Sequence, residues 1–347
     1  MTETPSLSSS GGNALKRFLF FLLLLLAGAL CAGSAAAQIR LAHTLPVTHA
    51  VNLSLLHLKQ RLDLQTQGRL KIDVIPESLS GSDGSLLEQV QAGILPMAVI
   101  NARTLSRIAP AFSLLQMPFI FPDRKNLASF LEGAFQKKLD TGLLDSRLVV
   151  LAWFELGPRV WLSVSKQFTK PADFRGAKLN GPDGPVFMDV AATLGSVASA
   201  IPLQGEQLRE ALSLGAMDVD DLLLANAVSQ VVDNFKPELT LSRHVWEVAF
   251  LVASTSFWNG LNPSDQREIV DAASEAELVD QGYSIRNEVE LLLKGRARGI
   301  KLIPLDDASR QAFLRALYPV QQTMADAVGK DIFGQFMNAV LQSRPVY

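Results

Sequence analysis

Residues 262–298 constrain the fold more than any other stretch, because they read as one helix much longer than a compact domain is wide. Asn262 is a capping residue, Pro263 takes the first helical position, and no further proline occurs until Pro304. A helix of roughly 36 residues rising 1.5 Å each is about 54 Å long. Its apolar positions do not keep a heptad over the whole span, so it is expected to be a strut lying across two domains, with its halves packed on different cores.

The remainder of the 347 residues can supply those domains. With 48% hydrophobic and only 19% charged residues the chain can bury a large core, which excludes disorder as its main state. A formal charge of -2 gives no general field for polyanions, so no nucleic-acid partner is expected. The pattern alternates short strands with amphipathic helices, the rhythm of an α/β fold. Residues 39–43 read as a first strand, and Val51, Leu55, Leu58 and Leu62 recur at helical spacing before Gly68. Residues 69–75 alternate with period two, Leu86, Leu87 and Val90 mark a short helix ended by Gly93, and Met97–Asn101 reads as a third strand. Pro118 and Pro122 make residues 115–122 a packed loop. Residues 149–154 and 159–164 are two further extended runs, and residues 169–176 form one helical turn with Pro171 early and Gly176 just past its end.

The first 37 residues read as a secretory leader. Lys16 and Arg17 are its basic region, residues 18–30 its apolar run, and Ala35-Ala36-Ala37 the small-residue exit, with the cut expected after Ala37. Cys31 follows Leu30, where a lipoprotein box wants a small residue. Cleavage removes the only cysteine, so the exported chain forms no disulfide and depends on its core. No later segment carries 18 uninterrupted apolar residues, so the mature chain is not expected to span a membrane.

The search for catalytic chemistry returns negatives. His43, His49, His57 and His244 form no H-x-H or H-E-x-x-H pattern, so no metal site is expected. Ser163-Val-Ser-Lys166 matches S-x-x-K, but neither S-D-N nor K-T-G follows. There is no G-x-S-x-G, no P-loop and no G-x-G-x-x-G after a strand. Asp220 with Asp221, and Glu206 with Glu210, read as solvated faces. The chain is not expected to be an enzyme or to need a cofactor, which leaves capture of a small molecule between two domains.

At this point the sequence resembles a family. Thr66-Gln-Gly-Arg-Leu-Lys-Ile72, Leu79-Ser-Gly81, Glu88-Gln-Val-Gln-Ala-Gly93 and Met117-Pro-Phe-Ile-Phe121 are followed by Pro171-Ala-Asp-Phe-Arg-Gly-Ala-Lys-Leu179, Leu194-Gly195 with Ile201-Pro202, and Ala211-Leu-Ser-Leu-Gly-Ala-Met-Asp218. In this order and spacing they are similar to the DctP-type substrate-binding subunits of tripartite ATP-independent periplasmic (TRAP) transporters. The resemblance implies a two-lobed periplasmic binding protein fold of the Venus-flytrap kind, with interlobe hinge strands and a long lobe-spanning helix. Lobe I is expected over residues 38–156 plus 247–287, and lobe II over 157–246 plus 288–347. The implied role is a periplasmic receptor that captures a small organic solute, a carboxylate in most of the family, and delivers it to the membrane permease.

The resemblance also implies site residues. Arg159, in Gly157-Pro-Arg-Val-Trp161, matches a family arginine and is the expected anchor, against the alternative of a surface arginine. The family's second arginine closes a G-x-K-x-R run, whose planar fork meets a carboxylate with two parallel hydrogen bonds. Here the run is Gly176-Ala-Lys-Leu-Asn180, with Asn180 in that place. Leu222 also stands where a polar side chain is usual. Asn101 and Asp83 match positions on the first lobe's side of the cleft, Asp83 being equally suited to a turn. His43 is a candidate donor to the solute, and Trp161 either stacks on it or packs in the hinge. Arg103 shares a face with Asn101 if the third strand continues, offering a second cation. Two other classes stay open: a receptor of this fold for a non-carboxylate or a sensory partner, and a secreted hydrolase or lyase using the same cleft.

Overall fold

The computed structural model describes residues 38–78, 82–164, 166–229, 235 and 237–344. The expected leader with its cut after Ala37, and the Leu79-Ser80-Gly81 motif, lie outside the described residues.

Ten strands are described: β1 (Gln38–Ala42), β2 (Lys71–Ile75), β3 (Met97–Asn101), β4 (Leu148–Ser163), β5 (Lys178–Asn180), β6 (Val197–Ser199), β7 (Val219–Leu223), β8 (Glu238–Leu241), β9 (Trp246–Ser254) and β10 (Lys301–Pro304). They run in the order β2-β1-β3-β9-β4-β7-β5-β6, with β8 on β4 and β10 on β8. The pairs β1/β2, β1/β3, β5/β6, β5/β7 and β8/β10 are parallel, and helical connections between most of their strands give the α/β character anticipated from the alternating pattern.

The two extended runs expected over 149–154 and 159–164 are one strand. β4 pairs antiparallel with β9 through Pro158, then with β7 and β8 from Arg159 onward, so a single strand crosses from one half of the sheet to the other. Gly157-Pro158 looks like a break in sequence, but it is accommodated as an irregularity: the register shifts between Glu155 and Gly157, and Gly157 takes φ +109°, which only glycine adopts without strain.

The long helix spans Pro263–Ala297, 35 residues, capped by Asn262 Oδ1, which accepts from the N–H groups of Ser264 and Asp265 at 2.9 Å. Its two halves do meet different cores. Ile269, Ala272, Ala273 and Ala276 pack with Leu55, Leu58 and Leu251, whereas Leu291 and Leu292 pack with Val160, Leu208 and Leu239. Three alanines in the first half let it lie close to β4 and to the helix Ala50–Gln65. No helix among the described residues is long and apolar enough to cross a membrane.

Between its halves the helix turns polar toward the crossing strands. Arg124 donates to both Glu155 and Glu288, the latter at 2.8 Å, and Arg243 also reaches Glu288 at 2.8 Å. Asp280 accepts from the Glu155 N–H at 2.8 Å, and Glu277 from the Trp153 N–H at 3.3 Å. The C-terminal helices brace the same region: Phe336 packs on Phe121, Phe130 and Phe135, and Phe313 on Phe119, Trp161 and Phe174.

Burial lifts the Glu277 carboxyl to about 7 and Asp280 well above the usual carboxylate range. A folded-state pKa above the unfolded one adds stability that is complete below the unfolded value and disappears as pH rises through the folded value. For Glu277 that window runs from about pH 4.5 to about 7. Urea unfolding is therefore expected to show the protein more stable at pH 5.5 than at pH 8 by on the order of 2 kcal/mol from this helix. The double variant Glu277→Gln, Asp280→Asn should flatten the difference; equal stability of the wild type at the two pH values would contradict the assignment.

Candidate functional site

Where β4 leaves β9 for β7, a cleft of about 470 Å³ opens, large enough for a small organic solute. Its walls come from both sides of the crossing. Arg103 reaches it from the helix Ala102–Leu105 after β3, Arg159 from β4, Asp220 and Asp221 from β7, Glu247 from β9, and Asn180 with Asp183 from the end of β5 and the loop beyond. A recess of about 30 Å³, lined also by Gln116, His244 and Phe187, shares Arg103, Arg159, Asp221 and Glu247 with the cleft.

Arg159 thus stands in the cleft wall, not on the surface, and is 6% exposed. Its Nε donates to Asp221 Oδ1 at 2.8 Å, a terminal nitrogen bonds the Asp221 carbonyl, and the other lies 3.4 Å from Glu247 Oε2. Most of the fork is therefore spent on the protein. Burial raises the cost of charging Asp221, but Arg159 and then His244 outweigh it and hold that carboxyl down at about 2. His244 Nε2 lies 3.1 Å from Asp221 Oδ2, and its Nδ1 is 2.7 Å from Ser242 Oγ. Glu247 is held below its usual value, against its burial, by Arg103 and Arg159.

β3 ends at Asn101 and does not continue, because Asn101 Oδ1 caps the next helix by accepting from Thr104 N–H at 2.7 Å. Arg103 therefore reaches the cleft from a helical turn, not from a strand. Its guanidinium bonds Glu247 and lies 3.3 Å from Asp183 Oδ1, while its Nε is buried without a hydrogen-bond partner among the described residues. Gln116 Nε2, in the recess, is likewise a buried donor without a partner among the described residues.

Asn180 lies beside this network at the ends of three strands. Its Nδ2 donates to Ile201 O at 3.0 Å and Asp220 Oδ1 at 2.9 Å, and its Oδ1 accepts from Ser199 Oγ at 3.0 Å and Ile201 N–H at 2.9 Å. These four bonds exhaust a carboxamide, so Asn180 ties β5, β6 and β7 together and has no bond left for a solute. Asp220 is 4% exposed and takes one bond, from Asn180; its Oδ2 has no donor, and no ion pair reaches it, among the described residues. Desolvation raises its carboxyl to about 6.

The remaining expected residues fall elsewhere. Asp83 accepts from Thr44 Oγ1 at 2.6 Å and from Asn101 N–H at 3.0 Å, so Asp83 and Asn101 form one cluster that holds the strand ends, and neither lines the cleft just described. His43 is fully buried: its Nδ1 accepts from Leu45 N–H at 3.2 Å, which leaves Nε2 to donate to Asn52 Oδ1 at 3.1 Å. With both nitrogens used and burial lowering its pKa, it fastens the loop after β1 and cannot donate to a solute. Trp161 stacks on His244 with ring centres 4.8 Å apart and packs edge-on against Phe174, inside the aromatic core. The expectation that Asp220 and Asp221 form a solvated face is overturned, since both are buried in β7 between Val219 and Leu222; Glu206 and Glu210 are exposed as expected. Glu247 carried no sequence signal beyond being a charge at the start of a long apolar run. In the S-x-x-K match, Ser163 Oγ donates to Lys166 O at 2.7 Å and the Lys166 ammonium bonds Asp173 O, so no serine-lysine pair forms. No cluster of metal-binding side chains occurs among the described residues.

Comparison with known proteins places this geometry. A model of the DctP family, described as bacterial extracellular solute-binding protein, family 7, matches residues 41–327. The C4-dicarboxylate-binding periplasmic protein DctP of Rhodobacter capsulatus is 26% identical over 273 residues, 77% of this chain and 80% of its own. A TRAP periplasmic solute-binding protein from Ochrobactrum anthropi superposes with a TM-score of 0.83 at 24% identity, covering 88% of this chain and 95% of that one. The sugar-acid-binding protein of Advenella mimigardefordensis, solved with galactonate, superposes at 0.79 with 21% identity, covering 88% and 98%. The chain belongs to the DctP family, the bacterial extracellular solute-binding proteins of family 7, and has the two-lobed α/β fold of the TRAP periplasmic receptors.

Proposed function

We propose that the protein is the periplasmic receptor of a TRAP transporter, exported by the leader cut after Ala37, which captures one small organic solute and passes it unmodified to a membrane permease. The observation that carries this reading is the cleft of about 470 Å³ at the strand crossing, walled by Arg103 from one side and Arg159 from the other. The related DctP and galactonate receptors support an organic acid as the solute class. The lobes of the clamp are residues 38–156 with 247–287, and 157–246 with 288–347. Their hinge is β4 with β9, and the long helix spans both.

Away from the buried contacts at the strand crossing, the walls of the cleft meet through weak surface pairs. Arg103 and Arg107 meet Asp183 across the cleft at 3.3 and 2.8 Å, and Asp183 is 61% exposed, so each pair contributes about 0–1 kcal/mol. A solute that binds both walls adds the rest, and the population shifts toward the closed form by the solute's differential affinity. The buried Arg159 cluster, by contrast, holds the wall in shape. Arg103, whose side chain is 20% exposed, is the cation open to an acceptor group on the solute.

A thermal-shift screen against organic acids, amides and sugars tests capture directly, because a solute selective for the closed form raises the midpoint by mass action. Arg103→Ala is expected to weaken binding of any acid hit about tenfold or more, and to lower the midpoint of the free protein because the buried Glu247 loses an ion-pair partner. A hit bound equally well by that variant would remove Arg103 from the site. Arg159→Ala should instead cost about 3–5 kcal/mol of stability in urea unfolding, since it leaves Asp221 and Glu247 buried with less positive charge. A loss below about 1 kcal/mol would show that the cluster does not support the wall.

A further inference from the structure

The balance of charge in the cleft points to a narrower solute class, an inference that rests on the capture reading above. Two guanidinium groups, Arg103 and Arg159, line it against four carboxyl groups, Asp183, Asp220, Asp221 and Glu247. Both arginines are shared: Arg159 lies between Asp221 and Glu247, and Arg103 between Glu247 and Asp183. Asp220 alone of the four makes no ion pair among the described residues and feels Arg159 only at longer range, although it is 4% exposed and faces the cavity. The side chain hydrogen-bonded to it is Asn180, a neutral amide whose hydrogen bonds are all taken. A dianion would bring two more negative charges to this wall.

The small recess shares Arg103, Arg159, Asp221 and Glu247 with the cleft and adds Gln116 and His244. Arg103 is the more accessible of the two guanidinium groups, its side chain 20% exposed against 7% for Arg159, and the recess of about 30 Å³ that it lines admits a single small group such as one carboxylate oxygen. Val186, Phe187 and Val190 line the recess with apolar surface and keep it narrow.

We propose that the solute is a small zwitterion, its carboxylate directed to Arg103 and its positively charged nitrogen to the free oxygen of Asp220. A cation at Asp220 is paired in a water-poor site, where a charge-assisted bond is stronger than a neutral one. Specificity against dicarboxylates then follows from like-charge repulsion by the same wall.

The purified protein would be titrated by calorimetry at pH 7.5 with glycine betaine and the free amino acids as one class, and with succinate, malate, galactonate and glucuronate as the other. The expected result is saturable binding of a zwitterion at least tenfold tighter than any acid of the second class. Asp220→Asn should weaken that hit at least tenfold while its circular dichroism stays native. The wild type's own ranking of the two solute classes tests the idea independently should Asp220→Asn fail to fold. Wild-type protein that binds an acid of the second class as tightly as any zwitterion overturns the inference and leaves capture standing, as does a zwitterion bound within twofold by a folded Asp220→Asn variant. Absence of binding by every member of both classes overturns capture as well.

Discussion

The buried pairing of Arg159 with Asp221 and Glu247 is the interaction on which the cleft depends. It joins β4, β7 and β9 at the point where the sheet changes partners, and it does so with charges that are nearly inaccessible to water. Desolvating such a group costs several kcal/mol, so the cluster persists only because each member is satisfied. His244 completes Asp221, Arg103 completes Glu247, and the Trp161 ring stacked on His244 excludes solvent from behind. A wall built this way is held in shape by buried ion pairs, and in the proposed capture it meets the solute through Arg103 and the free oxygen of Asp220.

Behind that wall the long helix does mechanical work that its sequence already implied. An alanine-rich half lies close against one core and a leucine-bearing half against the other, while the polar middle passes the crossing strands. In the proposed clamp motion the flexing parts are short: Gly157 with its positive φ, and the register shift beside it. The cluster around Arg124, Glu155 and Glu288 ties the helix middle to the strands at the same level, so bending there is opposed by buried charge more than by packing. Protonation of Glu277 and Asp280 relieves part of that burial, which couples the strength of this tie to pH.

Much of this was legible before any coordinates. The strut, the strand Met97–Asn101, the turn before Gly176 and the α/β rhythm follow from caps, prolines and periodicity, which are local signals. The crossing of β4 was not, because Gly157-Pro158 is a break by local rules and only its pairing partners, some 65 to 100 residues away, hold it extended. The same limit explains the site. Arg159 and Asn180 stood out by their motif positions, but that Asn180 spends all its bonds on β6 and β7, and His43 both nitrogens on its own loop, is a matter of distant neighbours. Asp220 and Asp221 carry a usable signal in their neighbours: two adjacent carboxylates flanked by Val219, Leu222 and Leu223 lie in a strand that is buried on both faces, where a solvated reading does not fit.

The most direct measurement is to load the purified protein with a solute identified by thermal shift, remove the excess, denature it, and analyse what is released by mass spectrometry. Capture without chemistry requires one molecule per chain, with its mass unchanged after prolonged incubation. Release of an altered product, or retention well below one molecule per chain at saturating solute, would contradict the receptor reading.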